Sequence, residues 1–205
     1  MKFIIALFVA SLASSSPAGF PFVLPCSSIS GTPCRCPFGT DYAESVTTAI
    51  IGAKARDVED LTNDFFDPAW AGLVVRSVQG PNNFPGLSIR DLNITTSVGN
   101  YIVSERLIFR FVWPDGSFEQ RSEQRGIVPY LSGNGSFSGH WLTLKSDRIF
   151  ENQTLIRFSI YACQTGHPIN FSAAHQLALS NVTGILATAG LLPGISTDPV
   201  SAQLF

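Results

Sequence analysis

Residues 80–90 read GPNNFPGLSIR, and residues 101–107 read YIVSERL. In the first stretch, Gly80, Pro81, Asn82, Asn83, Pro85 and Gly86 break the chain just before an alternating segment that carries Arg90. In the second, Tyr101, Val103 and Glu105 fall on one face of an extended chain, and Ser104 and Arg106 on the other. The pattern predicts two antiparallel strands joined by a turn at TTSVGN. Neighbouring strands of this kind place Arg90 and Glu105 where they can pair across the sheet.

Outward from this pair, the elements follow from spacing and punctuation. YAESVTTAII (42–51) has β-branched residues in partial alternation and predicts a first strand that stops at Gly52. AKARDVEDLTNDFFDPAW (53–70) sets Val58, Leu61 and Phe65 at helical spacing among acids, which predicts an amphipathic helix ended at Asp67-Pro68 and a short second helical turn around 69–72. Strands are then expected at 73–80, 87–96, 101–113, 117–128, 140–150 and 153–163, with PDG at 114–116 as a tight turn. Finally INFSAAHQLALSNVTGILATAGLLPG (169–194) carries Phe171, Ala174, Ala178, Val182, Ile185, Ala189 and Leu192 at steps of three or four. That predicts one long helix, stopped by Pro193-Gly194, with an apolar stripe that must lie on the sheet.

The 205 residues include 45% hydrophobic and 14% charged residues, enough for one domain with a real core. The formal net charge is −2 and the basic residues are scattered, which argues against a nucleic-acid partner. The opening MKFIIALFVASLASSSPAGF has one Lys, an apolar run of about 11 residues and then small residues, the order of a secretory signal peptide cleaved after Ser16 or Ala18. A membrane span needs about 20 apolar residues. Asn181 and Gly184 interrupt the C-terminal apolar stretch, so no span is expected once the signal is removed. The sequence is therefore divided into a signal peptide (1–18), a Cys-rich extension (19–40), a folded domain (41–194) and a C-terminal tail (195–205). A secreted monomer is expected.

Secretion agrees with five N-x-S/T sequons, at Asn93, Asn134, Asn152, Asn170 and Asn181. It also agrees with four cysteines, which predict two disulfides. Joining Cys34 to Cys36 across one residue would be strained, so Cys163 is expected to take one of these two and Cys26 the other. The cysteines lack the paired spacing of a zinc site, and no metal or cofactor is expected.

The order of these elements, with GPNNFPGLSIR, YIVSERL and an aromatic (Trp70) beside the first helix pair, resembles the START-like helix-grip superfamily, which includes birch-pollen-allergen-like and polyketide cyclase/dehydratase-like proteins. The likeness covers about residues 41–194. It implies an α+β fold in which a curved antiparallel sheet of about seven strands wraps a long C-terminal helix, with one or two short helices after the first strand. It also implies that the strand at Tyr42 runs antiparallel beside the strand ending at Cys163, which puts Cys34 or Cys36 within reach of Cys163. Such folds hold a cavity between sheet and helix, so a hydrophobic small molecule or lipid is the implied ligand, with Arg90, Glu105, Trp70 and His175 as its candidate contacts.

Motifs for catalysis are sparse: there is no Gly-x-Ser-x-Gly elbow, His-Glu-x-x-His or phosphate loop. Arg90 and Glu105 read first as a structural ion pair that fixes strand register, and they are also the candidate catalytic pair. The resemblance gives Glu105 the role of moving a proton and Arg90 that of holding an anionic or oxygen-rich group, as in a cyclase, dehydratase or isomerase. A third reading is a secreted interaction protein whose cavity has no function.

Overall fold

The computed structural model describes residues 24–26, 34–96, 99–130, 133–166 and 169–204. The expected signal peptide, its cleavage site and most of the Cys-rich extension lie outside these residues. The chain is an α+β fold whose elements run β1 (Asp41–Ile51), α1 (Ala55–Thr62), a 3-10 turn (Ala69–Ala71), β2 (Val74–Gln79), β3 (Ile89–Thr96), β4 (Gly99–Val112), β5 (Phe118–Gln124), β6 (Val128–Pro129), β7 (Gly135–Phe150), β8 (Gln153–Gly166), α2 (Phe171–Thr188) and β9 (Val200–Leu204). All the strand pairings are antiparallel. They form one sheet in the order β2-β3-β4-β5-β7-β8-β1-β9, with β6 on β7. Register shifts between Leu107 and Phe109 and at two points of β7 mark bulges, which bend a sheet and let it curl around a helix. This is the helix-grip arrangement.

The sheet has nine strands among the described residues, where the sequence suggests about seven. One addition, β6, is only two residues long. The other, β9, lies in the stretch read as a tail. After α2 the chain turns at Gly190, whose φ of 72° suits glycine, and Leu191 N–H donates to Leu186 O at 2.9 Å. It then crosses the end of β1, where Gly194 N–H donates to Gly52 O at 2.7 Å and Thr197 N–H to Ile50 O at 2.9 Å. From there β9 pairs with β1 in the register Glu44↔Leu204 to Thr48↔Val200. The helix therefore ends at Thr188, short of Pro193-Gly194.

The first strand alternates as expected, and its buried face is Ala43, Ser45, Thr47, Ala49 and Ile51. These side chains are mostly small, so α2 can approach the backbone of β1 closely. Ser45 and Ser172 share a hydroxyl–hydroxyl hydrogen bond of 2.9 Å across that contact. The buried face of α2 is His175, Ala178, Leu179, Val182 and Leu186. It overlaps the expected stripe at 178 and 182 but is rotated from it, leaving Ile185 41% exposed. Val58, Trp70, Phe118, Ile156 and Phe158 complete the core beneath the helix. No described helix is long and apolar enough to cross a membrane.

Helix α1 stops at Asn63, earlier than Asp67-Pro68. Asn63 N–H donates to Glu59 O at 2.9 Å and its amide to the Glu59 carboxylate at 3.1 Å, while Gln120 donates to the Asn63 carbonyl at 3.2 Å. The residues freed from the helix carry Phe65 into the protein, where it is fully buried.

Candidate functional site

The turn at 80–86 is built by its own polar groups. Gly80 and Gly86 have φ of 78° and 83°, and Asn83 has φ of 60°. Ser88 Oγ donates to Pro81 O at 2.6 Å and accepts from Phe84 N–H at 2.7 Å. Asn83 Oδ1 accepts from Phe65 N–H at 2.8 Å, and Arg90 Nη1 donates to Phe65 O at 2.6 Å. One stretch of sequence thus satisfies both backbone groups of Phe65. The Phe65 ring lies under the guanidinium of Arg90, 4.3 Å from its centre.

β3 and β4 pair so that Arg90 stands opposite Glu105. Nε and Nη2 of Arg90 both donate to Glu105 Oε2, at 2.9 and 2.7 Å. Both residues are buried, with side chains 7% and 2% exposed, so the pair is an internal one. The turn residues and a shared strand parity bring the two groups together as the sequence predicts.

Between this part of the sheet and α2 lies a cavity of about 390 Å³. Its walls are mainly apolar, with Leu142, Phe158 and Ile160 from the sheet and Ala174 and Ala178 from α2. The polar groups on its walls are Thr95, Tyr101, Glu105, Asn170 and His175. His175 is buried and stacks on Phe158, with ring centres 3.9 Å apart. Asn170 caps the N-terminus of α2 by accepting from Ala173 N–H at 3.1 Å.

Of the expected ligand contacts, Glu105 and His175 line this cavity. Arg90 is not among the described lining residues. Trp70 packs in the core against Phe158, with ring centres 5.7 Å apart, and it is the neighbouring Ala71 and Leu73 that reach the cavity. An indole at that position fills the space under α2, which leaves the smaller residues of the same turn to face the opening. Tyr101 and Asn170, the latter read from the sequence only as a sequon, were not expected among the ligand contacts. Tyr101 shares the strand face of Glu105, so alternation along YIVSE carries the signal for it. A helix cap on a cavity wall has no such signal.

The disulfides are Cys26–Cys34 and Cys36–Cys163. The register Tyr42↔Cys163 places the second bond at the open end of the β1–β8 pair. Among the described residues, Cys26, Cys36 and Cys163 form the one group of potential metal-ligating side chains close enough to share an ion, and all three are held in these disulfides. Of the five sequon residues, Asn93, Asn134 and Asn170 are exposed, and Asn152 and Asn181 half-buried.

A sequence model of the START domain matches residues 42–203. No curated protein matches the chain in sequence. Among solved structures, a START superfamily protein from Mycobacterium smegmatis superposes with a TM-score of 0.52 at 9% identity, covering 71% of this chain and 99% of its own. The protein XoxI from Bacillus cereus gives 0.49 at 16% identity, over 72% and 97% of the two chains. A norcoclaurine synthase mutant from Thalictrum flavum, bound to a transition-state analogue, gives 0.48 at 11% identity, over 75% and 99%. Of these, the likeness at 0.52 bears on the fold, and on the fold alone.

Proposed function

The chain belongs to the START-domain family, and from that premise we propose that it is a secreted glycoprotein that binds a hydrophobic small molecule or lipid between the sheet and α2. The observation that carries this reading is the cavity of about 390 Å³, whose walls are apolar apart from a few convergent polar groups. That volume lies at the lower end of the range of about 300–1,000 Å³ usual for small-molecule sites. A closed core would have filled the same space with side chains, as it does beneath the C-terminal half of α2. The two disulfides are compatible with an oxidising compartment. Exposed Asn93 and Asn134 are the sequons best placed to carry glycans.

The test is binding of a neutral apolar fluorophore, N-phenylnaphthylamine, together with native mass spectrometry of protein purified from a secreting host. Fluorescence enhancement that is lost in Ala174→Trp, a variant that fills the cavity from α2, is the expected result. Undiminished binding in that variant would place the ligand elsewhere and overturn the reading.

Glu105 favours a second, enzymatic reading. It is buried, lines the cavity and is held by Arg90, the arrangement a cyclase, dehydratase or isomerase needs to move a proton inside an apolar site. Turnover of an enolisable apolar ketone, measured as solvent deuterium exchange and abolished in Glu105→Gln, is the expected signature. Exchange that persists in the variant removes Glu105 from that role.

A further inference from the structure

The sheet ends on two strands, and its two edges are built differently. β2 carries the exposed Arg76, breaks its register with a bulge between Val75 and Ser77, and runs into Gly80-Pro81. Charge, bulge and proline are the devices that keep an edge from pairing with another chain. β9 has none of them. VSAQL holds no charged residue and no proline, pairs with β1 in unbroken register, and among the described residues nothing pairs with its other side. Alternate residues of such a strand turn both backbone N–H and C=O away from β1.

The strand is also complementary to itself. Two copies running antiparallel about a two-fold axis at Ala202 set Val200 opposite Leu204, Ser201 opposite Gln203, and Ala202 opposite its own counterpart. A row of hydrogen bonds leads to the same contact. Ser45 and Ser172 share one of 2.9 Å, Ser172 Oγ donates to Gln203 Oε1 at 2.8 Å, and the row stops at Gln203 Nε2, which is buried with no partner. Cross-strand neighbours stand about 5 Å apart, so Ser201 of a second copy would offer that amide an acceptor. There is room for the pair as well. α2 lies over β1, so its two copies would stand about three strand spacings apart, or ~14 Å, which exceeds a helix diameter of about 10–12 Å. α2 has no Asp, Glu, Lys or Arg to repel its counterpart.

We propose that β9 pairs with β9 of a second copy of this chain, joining two sheets edge to edge in a two-fold dimer. Pro199 has no N–H and limits the ladder to the five residues of β9. So short a contact falls below the about 1,200–2,000 Å² of a stable interface, which makes the dimer weak and concentration-dependent. The proposal is independent of what the cavity holds, and it replaces the monomer expected from the sequence.

The experiment is sedimentation equilibrium of the chain purified from a secreting host, at concentrations up to about 1 mM, with Ala202→Lys and Ala202→Glu beside the wild type. Ala202 is exposed, so neither variant touches the core, and unfolding midpoints check this. The wild type is expected to rise towards twice its mass. Each variant sets like charges opposite each other at the axis and is expected to associate about fivefold more weakly, whereas an equimolar mixture, in which Lys faces Glu, is expected to associate at least as well as the wild type. A wild type that keeps the mass of one chain overturns the proposal, and if it then binds a synthetic VSAQL peptide the edge is a site for a foreign strand instead. A dimer that neither variant weakens, or that the mixture does not restore, overturns it too. If either variant fails to fold, hydrogen exchange of the wild type decides: slower exchange in 200–204 at high concentration is expected, and unchanged exchange overturns the pairing.

Discussion

Replacing Glu105 by Gln leaves the shape of the Arg90–Glu105 contact nearly unchanged and removes one charge. The side chains are 7% and 2% exposed, so the guanidinium that stays behind is buried without a counter-ion. Breaking a buried pair in this way costs about 3–5 kcal/mol. Arg90 keeps its bond to Phe65 O and its contact with the Phe65 ring, and the new amide oxygen still accepts one hydrogen bond, so the lower figure is expected. Arg90→Met removes the other partner and also strands the Phe65 carbonyl, which places its cost at the upper end of the same range at about pH 8. A buried carboxylate deprived of its guanidinium can lose its charge by taking up a proton, which a guanidinium cannot do. The Arg90→Met deficit is therefore expected to shrink on moving to about pH 5, and the Glu105→Gln deficit to stay constant. The double variant Arg90→Met/Glu105→Leu removes both charges and leaves mainly the Phe65 carbonyl unsatisfied, a loss of about 1–3 kcal/mol that is smaller than either single loss. Urea unfolding followed by tryptophan fluorescence measures all of these. Single losses below about 1 kcal/mol, the scale of an exposed pair, or a double loss equal to their sum, would refute the account of an interdependent internal pair.

Three further outcomes follow from other parts of the molecule. Cys36→Ser opens a bond that closes 127 residues and is expected to cost up to about 5 kcal/mol, against about half of that for Cys26→Ser, whose bond closes 8; denaturant midpoints of the two variants give the comparison, and equal losses would contradict it. Burial pushes the Tyr161 phenol up to about 12, and burial with Tyr101 beside it does the same for Tyr130. The unfolded chain therefore loses these protons first, near pH 10, and stability should fall as the pH rises from about 10 to 12; an ultraviolet titration in which every phenol ionises near 10 would remove the effect. In Gly52→Ala the new Cβ would stand 2.3 Å from the Gly194 carbonyl oxygen, so the segment leading to β9 must shift, at a cost of about 1–3 kcal/mol; hydrogen exchange should speed up in 194–204, and unchanged protection there would contradict the contact.

Much of this arrangement is legible in the sequence because it is local. Arg90 and Glu105 sit on strands joined by one turn, and a period of two then decides which residues share a face, so the pairing follows from the letters, whereas the inward direction of the pair entered only with the resemblance. The Cys163 bond depends on which strands are neighbours, which spacing alone leaves open between Cys34 and Cys36. β9 is invisible because VSAQL is short, and its partner stands over 150 positions earlier, where only the folded chain supplies an edge. The rotated face of α2 has a related cause. Alanines satisfy an apolar stripe on several sides of a helix, so periodicity cannot select among them, and the small side chains of β1 make the choice. Trp70 was placed among the ligand contacts by the resemblance, which marks an aromatic beside the first helices, but its size sends it into the core.

The bond between Cys36 and Cys163 also fixes how the molecule would answer a mechanical load. Tension applied at the two ends of the chain bypasses everything between these sulfurs, withholding about 430 Å of extended chain at about 3.4 Å for each of 127 residues. The sheet from β1 to β8 is therefore shielded, and the load falls on what lies outside the loop: α2 and β9. Leu204 stands opposite Glu44, at the same end of β1 as the bond, so a pull there opens the β1–β9 ladder one rung at a time instead of shearing it all at once. Under such a load α2, which forms one wall of the cavity, would be pulled away before the strands between the two sulfurs are loaded.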